Sequence, residues 1–175
     1  MTRATRLAEQ LLALARSEPD GLAATDAVDL RSLLQDCVVT YAPLAEDRGV
    51  DLGIEASEAA TVIGDPEALR VMFNNLVDNA TKYTPRGGRV DVSLHVEQGH
   101  PVVRIADSGP GIEPAERERV FDRFYRAGAG ENRVRTDVAG SGLGLAIVRR
   151  IATQHHATVS LDKSPAGGLQ VTVRF

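Results

Sequence analysis

Two amides and an ammonium recur at i, i+4 and i+7 where Asn75, Asn79 and Lys82 stand, a spacing that gathers them on one side of a helix. Amide oxygens ligate hard cations and a lysine meets a phosphate, so this row suits a metal and an anion; two asparagines aligned on a solvated face would look the same. A second group opens at Asp107, where an alternating apolar run ends in Asp107-Ser108-Gly109-Pro110-Gly111-Ile112. Glycines there let the backbone turn sharply and approach a flat ligand. An ionised carboxylate accepts hydrogen bonds and offers none, which is what selection of an adenine amino group requires; a plain loop is the alternative. The third group is Gly140-Ser141-Gly142-Leu143-Gly144, leading into a helix with Leu143, Ile147, Val148 and Ile151 on its buried face. Such a turn exposes N–H groups and the positive dipole end to phosphate. It lacks the Gly-x-x-x-x-Gly-Lys-Ser/Thr pattern of a phosphate loop.

Each group stands at the end of an element that must hold it. The amides ride on a helix begun by Asp65-Pro66-Glu67, with a cap, a proline suited to the first helical position and an acid at the positive dipole end. Leu69, Met72, Phe73, Leu76, Val77 and Ala80 form its core stripe. Ahead of it, Asp29 caps a helix carrying Leu30, Leu33, Leu34, Cys37, Val38, Tyr41 and Leu44, which Pro43 should kink or shorten and Gly49 should end. Strands are predicted at 50–54 and 61–63. Val90, Val92, Leu94 and Val96 alternate as a strand paired across Gln98-Gly99-His100 with 102–106, and 158–161 pairs with 169–175 in a closing hairpin. A short charged helix is expected at 114–119, followed by Val120-Phe121-Asp122-Arg123-Phe124-Tyr125-Arg126, which holds two of the four phenylalanines and reads as a latch or as core filling. Residues 127–139 have no periodicity, as in a lid or a disordered segment. The order predicts an α/β sandwich, a mixed, mostly antiparallel sheet covered on one face by helices.

A length of 175 residues supports one full domain with a short appendage, and 43% hydrophobic with 25% charged residues is ordinary globular composition. The net charge of -4 argues against non-specific nucleic-acid binding, so an anionic ligand has to be held by local donors. A single cysteine excludes a disulfide within the chain. Neither a signal-peptide pattern nor a membrane-spanning apolar run is read.

The segments Asn75 to Tyr83, Asp107 to Ile112, Phe121 to Arg126 and Gly140 to Val148, in that order, resemble the N, G1, F and G2 boxes of two-component sensor histidine kinases. The resemblance covers about Asp29 to Phe175 and implies the catalytic, ATP-binding domain with the Bergerat fold. By resemblance Asn79 would ligate Mg²⁺ with help from Asn75, Lys82 would meet phosphate and Tyr83 would lie against adenine. Asp107 would hold the adenine amino group, with Gly109, Gly111, Ile112 and Phe121 shaping the pocket. Gly140, Ser141, Gly142, Leu143, Gly144 and Leu145 would wrap the phosphates, and Arg126 would reach the γ-phosphate. Asn75, Lys82 and Arg126 form the catalytic set. Residues 1–17 resemble the end of a dimerisation and phosphoacceptor helix, although a helix folded back on its own domain fits as well; 18–28 would be a linker and 29–175 the catalytic domain.

The resemblance further implies ATP and Mg²⁺ as cofactors, a phosphoacceptor helical hairpin and a response-regulator receiver domain as partners, and a homodimeric full-length protein. This cytoplasmic domain would belong to a protein anchored in the bacterial cytoplasmic membrane, with no membrane or nucleic-acid contact of its own. The γ-phosphoryl group would pass to a histidine on another domain, because His95, His100, His155 and His156 read as structural. ATP-hydrolysing relatives of the fold carry a glutamate one turn before the magnesium asparagine, where this chain has Asn75. An amide is no base at neutral pH, so attack by water should be slow. His156 stands where the family has glycine, at a position expected to need positive φ. An anti-sigma-factor type serine kinase and a nucleotide-sensing module without transfer are the alternatives; a gyrase-like or chaperone ATPase is disfavoured by Asn75 and the short chain.

Overall fold

The computed structural model describes residues 25–125, 127 and 142–175. Strand β1 (Asp26–Asp29) leads into helix α1 (Leu30–Arg48), followed by β2 (Asp51–Ser57), β3 (Thr61–Gly64) and helix α2 (Pro66–Tyr83). After them come β4 (Arg89–Glu97), β5 (His100–Asp107), two 3₁₀ turns at Pro114–Glu116 and Arg119–Phe121, helix α3 (Gly144–Gln154), β6 (Thr158–Lys163) and β7 (Leu169–Arg174). The main sheet has the order β2-β4-β5-β7-β6, and β1 with β3 makes a separate antiparallel pair. Only β2 and β4 run parallel, because β3 and α2 intervene as the crossover; the other neighbours are antiparallel.

Register puts most of the central strands' buried apolar residues on one face. Val90 lies opposite Asp107, Val92 opposite Ile105 and Leu94 opposite Val103, and Val103 and Ile105 in turn oppose Val173 and Val171. Helices cover that face: Leu69, Met72, Phe73, Leu76 and Val77 of α2 are buried with Ile147, Val148 and Ile151 of α3 and Leu30, Leu33, Leu34 and Cys37 of α1. The expected α/β sandwich is the observed one. On the far face Arg104 and Arg174 both bind Glu97, beside Val102, which is buried opposite Arg174.

Caps act as their residues suggested. Asp29 accepts from the Arg31 N–H, and Asp65 Oδ1 accepts from the N–H groups of Glu67 and Ala68. Gly49 ends α1 at φ 64°, returning its N–H to Ala45 and Glu46.

Four details differ from the pattern. α1 runs through Pro43 to Arg48: Pro43 is exposed, Ala45 is buried, and the Arg48 guanidinium donates to the Lys82 carbonyl at 2.7 Å, so the last turn is held from both sides. Residues 26–28, expected in a linker, form most of β1, which pairs with β3. The helix expected over 114–119 is two separate 3₁₀ turns. Val96 is exposed at the end of β4, beyond the cover of the helices. The N-terminal helix expected over 1–17 and the lid expected at 128–139 lie outside the described residues.

Candidate functional site

The second half of α2 faces the start of α3. The Asn75 amide donates from Nδ2 to the Val71 carbonyl, one turn back, at 2.8 Å, which fixes the carboxamide plane. A side chain on Gly144 would begin 3.3 Å from Asn75 Oδ1, 3.2 Å from Asn79 Nδ2 and 3.5 Å from Asn79 Oδ1. A Cβ would be tight there and would push the amides by a few tenths of an ångström, so glycine suits this close passage of the first residue of α3. Asn75 is therefore 8% exposed, not displayed on an open face as its spacing suggested, because α3 lies across it. Helices α1 and α2 begin with aspartate caps; α3 begins at Leu143, which brings no side-chain cap. A helix start without a side-chain cap from its own N-cap residue, beside two carboxamides, has the chemistry to meet an anion through N–H groups and a cation through amide oxygens.

Lys82 is held by a residue the sequence reading passed over. Its Nζ lies 2.6 Å from Oδ2 of Asp78, a carboxylate that is itself buried. The i, i+4 Asp–Lys spacing was the available signal. Asp78 therefore sets where the ammonium stands before any phosphate reaches it.

At the other end, Asp107 is 5% exposed at the last position of β5. Its Oδ1 accepts from the Gly109 N–H at 2.8 Å and from the Leu169 N–H at 3.1 Å. Burial pushes its pKa above the usual carboxylate value, and the two N–H bonds partly oppose that shift. Gly168 is a second missed residue: any Cβ there would collide with Asp107 Oδ1 and stand 2.5 Å from the Gly109 nitrogen. The β6–β7 turn can reach Asp107 only as bare backbone. From that side the Leu169 N–H binds Oδ1, which the Gly109 N–H binds from the Asp107 turn itself.

The glycines of the Asp107 turn answer to contacts. A Cβ on Gly109 would lie 2.8 Å from the Tyr83 carbonyl, so this turn packs on the end of α2, and Gly111 has φ 70° against the Gly168 carbonyl. Tyr83, 37% exposed, borders the turn through its backbone. Ile112 packs on the core, and Arg117, also missed, donates to its carbonyl at 3.3 Å and to that of Leu161 at 2.9 Å, tying the turn to β6. Phe121 packs on the core under the Arg149 guanidinium, 5.3 Å from the ring centroid. Phe124 holds φ 66° with its N–H on the Gly142 carbonyl at 2.9 Å, and Gly142 has φ 68° against that backbone. Leu143 points into the core and Leu145 is half-buried against it, so both would meet a ligand through backbone. Arg126, Gly140 and Ser141 lie outside the described residues.

The arrangement is a carboxylate and a glycine-lined turn at one end and, at the other, a carboxamide pair with an uncapped helix start. A family model described as "Histidine kinase-, DNA gyrase B-, and HSP90-like ATPase" matches residues 64–175, which contain both ends. The chain belongs to that family. Among relatives of this ATPase domain, the Sensor protein QseC of Salmonella typhi is 38% identical over 99% of this chain and 37% of its own length. The mycobacterial sensor histidine kinase MprB superposes with a TM-score of 0.74 at 30% identity, over 87% of this chain and 97% of the solved one. Full-length ShkA, solved in complex with AMPPNP, superposes at 0.79 with 28% identity over 97% of this chain and 35% of that one. The chain is thus an ATP-binding domain of the kind found in two-component sensor histidine kinases, and it spans just over a third, 37%, of its curated QseC relative.

The chemistry of Asn75 and Asn79 fits a divalent cation carried by a nucleotide. Neutral amide oxygens are hard ligands, and among the described residues no group of three or more His, Cys, Asp or Glu gathers into a metal cage. Such an ion would complete its coordination from phosphate oxygens. No described helix is long and apolar enough to cross a membrane.

Proposed function

We propose that this domain binds Mg·ATP between Asp107 and the start of α3 and transfers the γ-phosphoryl group to a histidine on a separate helical hairpin, for relay to a response-regulator receiver domain. The observation that carries the reading is the passage of Gly144 over the carboxamides of Asn75 and Asn79 at an uncapped helix start.

Adenine lies at Asp107, whose Oδ2 accepts from the exocyclic amine while Gly109 and Leu169 hold Oδ1. A guanine carbonyl in that position would meet a carboxylate that cannot donate. Tyr83, Ile112 and Phe121 flank the base. The phosphates run to α3, where the backbone of Gly142 to Leu145, with Gly140 and Ser141 before it, offers N–H groups. Asn79, helped by Asn75, would hold magnesium, and the ion would supply positive charge at the phosphates. Lys82, steered by Asp78, adds a positive charge, and Arg126 adds another at the γ-phosphate. Catalysis is positioning and charge neutralisation. No carboxylate stands at position 75 to activate water, and the Nδ2 of Asn75 is committed to Val71, which favours keeping the phosphoryl group for the acceptor.

QseC and MprB are sensor kinases by name; by the resemblance, the full-length protein would be a dimer anchored in the bacterial membrane, with this domain in the cytoplasm. Titration with ATP and magnesium, then addition of a separate acceptor hairpin with γ-labelled ATP, tests the reading. Label on histidine is expected. Label on serine would make the protein a serine kinase, and binding with no transfer would make it a nucleotide sensor.

A further inference from the structure

His155 follows the last residue of α3, and its ring reaches the start of α2. The Asp65 N–H donates to His155 Nε2 at 3.0 Å. A backbone amide can only donate, so Nε2 carries a lone pair. In the neutral ring the proton then sits on Nδ1, which donates to the Ile151 carbonyl at 2.8 Å. Neither the other tautomer nor the imidazolium makes both bonds. The ring is also wedged: a Cβ on Gly64 would collide with its Cδ2 and stand 2.7 Å from Nε2. Asp65, the residue it grips, is the cap of α2.

The ring therefore joins the end of α3 to the beginning of α2, while the beginning of α3 lies on the far half of α2 at Asn75 and Asn79. Between them, α3 is 11 residues of helix, about 16 Å of rigid rod at 1.5 Å per residue. Leu69, Met72 and Leu76 meet Ile147, Val148 and Ile151 in the core between the two ends, an attraction without direction. A hydrogen bond weakens steeply when misaligned. We propose that His155 is a positioning residue for the phosphate end of the site: its Nδ1–H imidazole locks the axial position of α3 on α2, and with it the gap between Gly144 and the two carboxamides. The proposal rests on the Mg·ATP reading above and adds to it a residue at the opposite end of the helix.

The test compares adenosine with Mg·ATP. Adenosine uses the Asp107 end, built from β5 and the β6–β7 turn, with no bond to His155. In NMR or calorimetric titrations of the 175-residue chain, His155→Leu is expected to leave adenosine affinity within about twofold and to weaken Mg·ATP about tenfold or more. His155→Gln, whose carbonyl can accept from Asp65, should recover most of that loss. A lowered Tm with the ratio of the two affinities unchanged makes the ring a structural prop and overturns the proposal, as does an equal loss for both ligands. Should His155→Leu fail to fold, ¹⁵N spectra of the wild-type imidazole decide. An Nδ1–H ring whose shifts move with Mg·ATP but not with adenosine is expected; an Nε2–H ring, or one that ignores Mg·ATP, overturns it. A wild-type chain that binds neither ligand removes the nucleotide reading and this proposal with it, whereas normal binding without discrimination in the variants removes this proposal alone.

Discussion

Asp107 is buried, and among the described residues its hydrogen bonds come from backbone N–H groups. Asparagine keeps an oxygen for the Gly109 and Leu169 donors and replaces Oδ2 with a donor. Asp107→Asn is therefore expected to leave Tm unchanged or raise it, and to lower ATP affinity about 100-fold, the consequence of losing a charge-assisted bond and facing two donors. Calorimetry on a thermally intact variant separates the two effects. The pH dependence has a definite sign. With its folded pKa pushed above the usual carboxylate value by burial, the carboxyl binds its proton more tightly folded than unfolded. Stability is thus lost as pH rises through that window, and Asp107→Asn should abolish this slope in chemical unfolding. ATP affinity behaves oppositely, falling on acidification from above pH 3.8, because the acceptor is the ionised form. Gly168→Ala tests the same point from the other strand, since its methyl collides with Asp107 Oδ1. Both stability and affinity should fall.

Helix ends are where single elements can be tuned. α3 closes with His156 at φ 54°, its N–H on the Thr153 carbonyl and the Ala157 N–H on the Ala152 carbonyl at 2.8 Å. That geometry suits glycine, as the resemblance implied, and an L side chain there costs on the order of 1 kcal/mol. His156→Gly should stabilise the domain by about 0.5–1 kcal/mol in urea titration, less than the full strain because glycine also loosens the unfolded chain. Asp65→Ala should cost about 1 kcal/mol for the lost cap. By contrast Pro43, exposed inside α1, is a local rule broken without a broken helix, because Ala45 and Arg48 anchor the turn that follows it.

Taken whole, the molecule carries a net charge of -4 and yet takes a polyanion, so the favourable contacts have to be local. Binding to the folded form alone raises stability by mass action, by about 2.7 kcal/mol at a ligand concentration 100 times Kd. Mg·ATP should raise Tm accordingly, and removal of magnesium with a chelator should cancel much of the rise. The open sheet face has its own acid limit. Glu97 is held below its usual pKa first by the Arg104 hydrogen bond and then by that of Arg174. Its contribution is present above the unfolded pKa and is lost as pH falls through the lower folded one. Glu97→Gln should flatten that acid limb slightly, the pair being exposed.

Local pattern carried most of the elements, since 3.6-residue and 2-residue periods, caps and turn glycines are properties of neighbouring residues, and the resemblance supplied the four boxes. Asn75, Asn79, Asp107 and Gly144 were legible for that reason. Asp78 was legible too, from its i, i+4 spacing to Lys82, but was passed over; Gly168, Arg117 and His155 were not legible, because each matters through a partner brought near by the sheet order or by helix packing. Gly168 is an ordinary turn glycine until β7 pairs with β5 and lays it against Asp107, and His155 is one of two adjacent histidines until α3 meets α2. The burial of Asn75 has the same origin. Chemical identity travels along the chain, whereas the direction in which a group points is settled by what packs across from it.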